Sequence, residues 1–145
     1  MLLENTNNSG TITGRTAVGG IVGMGGGVSM SGPPSAGIGC VSVSRAENSG
    51  AVSGSGNSVG GIIGVGTSSK SIDNVLNTGT VQGRDQVGGI IGNSVEGIVE
   101  NALNLGQVIA TDGNAQYCGG IVGWGPGAIV SDKAVYATTD KDGNT

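Results

Sequence analysis

The chain has 145 residues, one domain by length, but its 32 glycines against one Trp, two Tyr and no Phe leave out the aromatic anchors of an ordinary globular core. Net charge is −4 and the six basic residues (Arg15, Arg45, Lys70, Arg84, Lys133 and Lys141) are scattered, which argues against a nucleic-acid partner. No apolar run approaches the ~20 residues that span a bilayer, glycine has no strict every-third-residue period as a collagen helix would require, and regularly spaced Val and Ile argue against disorder.

In chain order, Met1-Leu2-Leu3-Glu4-Asn5 shows neither the basic start nor the apolar stretch of a secretion signal. Asn8-Ser9-Gly10-Thr11-Ile12-Thr13-Gly14 then leads to Val18-Gly19-Gly20-Ile21-Val22-Gly23, and this phrase, residues 8–23, is a first repeat copy. An irregular insertion follows, from Gly25-Gly26-Gly27 through Ser31-Gly32-Pro33-Pro34-Ser35, before an extended segment resumes near Val43. The second copy spans 48–64, the third 77–92 and the fourth 104–123. The Gly-Gly pairs open at 19, 60, 88 and 119, spacings of 41, 28 and 31 residues, which are solenoid periods.

The third copy shows the layout best. Gly79-Thr80-Val81-Gln82 sets one apolar residue between polar neighbours, the alternation of a half-buried strand. After the turn Gly83-Arg84-Asp85 comes a second segment, Gln86-Val87-Gly88-Gly89-Ile90-Ile91-Gly92, and beyond a variable loop a third, Gly97 to Asn104. Three short strands and three corners predict a triangular coil. Length varies only at corners, as in Asp112-Gly113-Asn114-Ala115 of the fourth copy, and Pro33, Pro34 and Pro126 lie only in loops. The whole predicts an all-β, parallel β-solenoid of about four coils, right-handed by base rate, occupying 1–145 as a single repeat domain. In so thin a stack each coil buries its apolar residues mainly against its neighbours.

Three recurring features have structural readings. Asn5 and Asn8, Asn74 and Asn77, and Asn101 and Asn104 stand three apart, with Arg45 and Asn48 in the remaining coil. Stacked at a corner, these asparagines can form an amide ladder along the stack, or each can bond its own turn and accept left-handed geometry. The Gly-Gly pairs predict a tight corner or a groove; a nucleotide-binding loop is excluded because no Lys and no helix pattern follow. The adjacent pairs Ile21-Val22, Ile62-Ile63, Ile90-Ile91 and Ile121-Val122 are either core residues at a bend or an external aliphatic stripe. Cys118 takes the place of Val18, Val59 and Val87 and is expected to be a small buried hydrophobe, while Cys40 lies in the insertion, too far along the stack for a disulfide.

The motif Asn-x-Gly-x-Val-x-Gly followed by Val-Gly-Gly-Ile-Val-Gly resembles the GLUG repeat of large exported bacterial surface proteins. Ile72-Asp73-Asn74-Val75-Leu76-Asn77-Thr78-Gly79 also looks like the segment linking successive GLUG copies, so the resemblance runs from Leu3 to Tyr136. It implies a β-solenoid stalk or passenger segment of an adhesin-like or peptidase-associated protein, placed outside the cell or on its surface, with any signal carried upstream on a longer chain. The zinc peptidase domains of some relatives use an HExxH motif, and this chain contains no His.

No enzyme is expected. The best carboxylate pair, Asp73 and Glu100, repeats by position as outward strand residues do, and no Ser-His or Cys-His pair exists. No cofactor or metal is expected. Trp124 with Tyr117 could stack on a sugar ring or cover the last coil, and Arg15 and Arg84, in the same turn of copies one and three, could line an edge for an anionic ligand. The expectation is a structural spacer or adhesion module whose partners are flanking domains of its parent protein, or else a lectin-like module for a host glycan or matrix protein. A polysaccharide-cleaving β-helix ranks behind both. The shared phase of Leu3-Glu4-Asn5 and Val130-Ser131-Asp132 suggests a slice of a longer stack or end-to-end self-association.

Overall fold

The computed structural model describes residues 1–25, 41–66, 71–94, 97–126, 128–130 and 135–136. Coil 1 comprises β1 (Leu2–Asn8), β2 (Ile12–Gly14), β3 (Val18–Gly19) and β4 (Val22–Gly25); coil 2 comprises β5 (Ser42–Asn48), β6 (Val52–Gly54), β7 (Val59–Gly60) and β8 (Ile63–Gly66). Coil 3 comprises β9 (Ile72–Asn77), β10 (Val81–Gly83), β11 (Val87–Gly88) and β12 (Ile91–Ser94); coil 4 comprises β13 (Gly97–Asn104), β14 (Val108–Ala110), β15 (Cys118–Gly119) and β16 (Val122–Trp124). Like strands stack on like in four parallel sheets, and the first sheet continues past coil 4 with β17 (Ala128–Val130) and β18 (Val135–Tyr136). The protein is a parallel β-solenoid of four coils.

Each coil has four strands where three were expected. The segment Gln86–Gly92 holds β11 and the start of β12, and it bends between them at Gly89-Ile90. A Cβ on Gly60 or Gly88 would fall on the carbonyl of Ile63 or Ile91 three residues on, so only glycine permits this turn. The bend turns both members of the following apolar pair inward: Ile62, Ile63, Ile90 and Ile91 are fully buried. The external aliphatic stripe is therefore absent from coils 2 and 3. Hydrogen bonding passes through the corner unbroken, since the amides of Ile62 and Ile63 both donate to the Ile90 carbonyl, at 3.0 and 2.9 Å.

A second bend lies inside the first sheet. Asn5, Arg45, Asn74 and Asn101 have φ of 52, 51, 52 and 44°, the left-handed region where Asn is the commonest residue after glycine. Two residues, Ser44 and Arg45, face outward between buried Val43 and Ala46, as Asp73 and Asn74 do between Ile72 and Val75.

The three-apart asparagines thus divide into two kinds. The outer ones shape the bend, and the inner ones form a ladder. Asn8 Nδ2 donates to Asn48 Oδ1, Asn48 Nδ2 to Asn77 Oδ1, and Asn77 Nδ2 to Asn104 Oδ1, each at 2.7 Å. Each Nδ2 also donates to the carbonyl two residues on, at Gly10, Gly50, Gly79 and Gly106. Asn48, Asn77 and Asn104 are completely buried, a position tolerable for an amide only when its donors and acceptor are matched.

Opposite the ladder stands the second glycine of each of the first three pairs. A Cβ on Gly20 would come within 2.6 Å of Asn48 Oδ1, one on Gly61 within 2.6 Å of Asn77 Cγ, and one on Gly89 would meet the Asn104 amide. This contact pinches the coil at a waist. On one side the first and fourth sheets enclose Val43, Ile72, Val99, Ile63 and Ile91; on the other the second and third enclose Val52, Val81, Val59 and Val87. Two narrow cores of β-branched residues replace one broad one, which is why the chain folds with so few aromatics.

Asn77→Ala removes a link from the middle of the ladder and leaves the Asn104 carbonyl without its donor from the coil below. It is expected to lower unfolding free energy by about 2–3 kcal/mol in urea denaturation. Asn8→Ala, at the half-exposed end, is expected to cost less than half as much.

Candidate functional site

The outer corner between the second and third sheets carries the most varied chemistry. Ala17, Ser58 and Gln86 occupy it with φ of 56, 64 and 54°, each just before a buried Val. Seven residues on from each corner position, across the Gly-Gly bend, stand Met24, Val65 and Asn93, and in coil 4 the matching pair is Tyr117 and Trp124. In coil 3 the pair is polar: Gln86 Oε1 accepts from Asn93 Nδ2 at 3.1 Å and from Ser58 Oγ at 2.7 Å. In coil 4 it is aromatic, with Tyr117 and Trp124 ring centres 6.2 Å apart and edge to face at 71°.

Register sets Trp124 beside Asn93, whose Oδ1 is buried without a hydrogen-bond partner. Tyr117 is fixed from below, where its amide donates to Asp85 Oδ1 at 3.1 Å. The structure therefore brings Tyr117 and Trp124 together on a half-open surface. The seven-residue spacing across a Gly-Gly pair was the available signal for this pairing, but its meaning depends on the bend.

The two arginines are not brought together. Coil 2 separates them, with Gly56 donating to the Arg15 carbonyl and accepting from the Arg84 amide. Arg84 Nε lies 3.1 Å from Asp112 Oδ2, so its charge is already engaged by a carboxylate. Arg45 likewise contacts Glu4 at 3.1 Å and Asn5 at 2.8 Å. These exposed pairs add little stability.

Asp73 and Glu100 are register partners on adjacent coils. Both Asp73 oxygens accept amides at 2.7 Å, Oδ2 from Asn74 and Oδ1 from Asn101, so this carboxylate ties together the outer asparagines of coils 3 and 4. Among the described residues no group of three or more His, Cys, Asp or Glu could hold a metal ion, and no helix is long and apolar enough to cross a membrane.

Cys118 corrects an expectation. It aligns with Val87 in β11, yet its side chain is exposed, because among the described residues β15 is the last strand of its sheet and no further strand covers it. Partial desolvation, with repulsion from Asp85, raises its thiol pKa above the ordinary 9.0 against an opposing backbone hydrogen bond from Ala110. It is a free, protonated thiol at neutral pH. Cys40, Pro33 and Pro34 lie outside the described residues.

Comparison with protein-family models, curated proteins and solved structures finds no match to this chain.

Asp112 titrates below its ordinary 3.8, first because the Asn114 amide donates to it and second because of Arg84. A depressed folded-state pKa means its contribution is present above 3.8 and is lost as pH falls through the folded value. In a carboxyl NMR titration, Arg84→Ala is expected to raise the Asp112 pKa while leaving it below 3.8, since the Asn114 bond remains. For Cys118, iodoacetamide labelling is expected to be slower at pH 7 than for a thiol in an unfolded peptide, and to accelerate above pH 9.

Proposed function

We propose that this domain is a non-catalytic structural spacer of an exported bacterial surface protein, holding flanking domains apart. The observation that carries this reading is the unbroken asparagine ladder through all four coils, which locks successive coils in one register. Each coil adds about 4.8 Å along the axis, so length is set by repeat number and not by any one site. The resemblance of the repeated phrase to GLUG sequences supports the surface setting.

A second reading, an adhesive module for a host glycan or matrix protein, draws on the Tyr117–Trp124 pair. Aromatic faces stack on sugar rings, and Tyr117, at 38 % exposure, is reachable from solvent. Against it, edge-to-face packing turns the two rings out of a common plane and leaves no flat two-ring platform.

The test is a glycan and extracellular-matrix binding screen on the purified chain, with Trp124→Ala and Arg84→Ala beside it. The spacer reading expects no saturable binding and only small losses of stability in either variant. Tight binding of one ligand, abolished by Trp124→Ala, would replace it with the adhesive reading.

A further inference from the structure

The corner glycines after the ladder asparagines show why they are glycines, except one. A Cβ on Gly50 would fall on the carbonyl of Gly10, one on Gly79 on that of Gly50, and one on Gly106 on that of Gly79. Each is glycine because the coil before it sets a carbonyl where its Cβ would stand. Gly10 belongs to the same column but meets nothing of the kind: the nearest atom to its Cβ position is Asn8 Oδ1 of its own corner, 3.7 Å away. Gly10 is exposed where Gly50, Gly79 and Gly106 are buried, and its φ lies outside the left-handed range that would call for glycine. Its form fits a carbonyl that coil 1 lacks.

The ladder gives an independent sign at the same face. Its bonds all run one way, from the Nδ2 of one coil to the Oδ1 of the next, so Asn48, Asn77 and Asn104 each receive a donor from the coil before. Among the described residues Asn8 Oδ1 accepts only the Gly10 amide of its own corner, at 3.2 Å. Around it, among the described residues β1, β2 and β3 are each the last strand of their sheet, and inward-facing Leu3, Ile12 and Ile21 are half-buried where their counterparts Val43, Val52 and Ile62 are closed off.

We infer that the open face of coil 1 is a docking surface for one further coil of the same repeat, which would place an amide donor against Asn8 Oδ1 and a corner carbonyl beneath Gly10. Both requirements are met by an Asn-x-Gly corner stacked in parallel, which is what every coil of this chain presents to the next. Among the described residues, the far end of a second copy does not present such a corner. There the strand after Asn104 in the ladder column is β18, and register sets Tyr136 in the asparagine position. The inference deepens the spacer reading and rests on it, since a docked coil lengthens the same rod.

The experiment adds the missing rung. A copy of residues 72–98 is inserted directly before Leu3, in the phase that aligns Ile72 with Leu3. The extended chain is expected to melt about 5 °C or more above the parent, with slower amide exchange in β2 and β3. Gly10→Ala is expected to be silent in the parent, yet to lower the melting temperature of the extended chain as much as Gly50→Ala lowers that of the parent.

An extended chain that melts no higher or fails to fold, or a Gly10→Ala effect that is the same in both backgrounds, would overturn the inference. So would sedimentation of the parent as a dimer whose coil 1 amides are protected from exchange, since the occupant would then be a second copy. Failure here leaves the spacer reading standing, because a rod can be rigid without accepting a neighbour, and that reading is decided by the binding screen.

Discussion

The contact between a buried asparagine and a glycine backbone governs the rest of this molecule. A buried primary amide needs matched partners, and here each central one finds them in the coil before, the coil after and its own corner. Those partners exist only if successive coils keep the same rotation and register. The amide, together with the carbonyl of the next coil's second glycine, also occupies the space a side chain would need there, which obliges the facing residue to be glycine. One interaction therefore fixes axial register, cross-sectional width and composition together.

From the pinched waist follow the two cores and their residue types. Each lobe is only wide enough for one ring of β-branched side chains, so Val and Ile recur in columns and the apolar surface of one coil is covered by the next. The stack is consequently closed along its sides, and among the described residues its apolar positions are least covered in the first and last coils. Exposed Cys118 and Val130 belong to the late strands, and half-buried Leu3, Ile12 and Ile21 to coil 1. What varies freely is the outer surface at corners, where coil 4 carries an aromatic pair and coil 3 two amides at matching positions. A fold of this kind separates the residues that build it from those able to acquire a binding role.

The parallel β-solenoid and the number of coils were legible in the sequence, because one phrase recurs with the same polar, apolar and glycine positions. The asparagines also recur from copy to copy, which the sequence reads as a stacked corner. Sequence could not divide them: Asn74 and Asn77 look alike as letters, yet one adopts left-handed geometry on the surface and the other enters the ladder. Which of two asparagines points inward depends on a bend that shifts the strand's alternation by one residue.

Tertiary structure alone decided the matters that turn on what lies above, below or across a residue. It split the Gly-Gly segment into two strands, giving four sides in place of three, because a single turn there brings both following aliphatic residues inside. It exposed Cys118 at a position that is buried in each earlier coil, because burial in a stack is conferred by the next coil and not by the residue. It paired Tyr117 with Trp124 and kept Arg15 from Arg84, since a bend joins the first two and a whole coil stands between the others. Local sequence determines a rung of this protein; neighbouring rungs determine what each side chain meets.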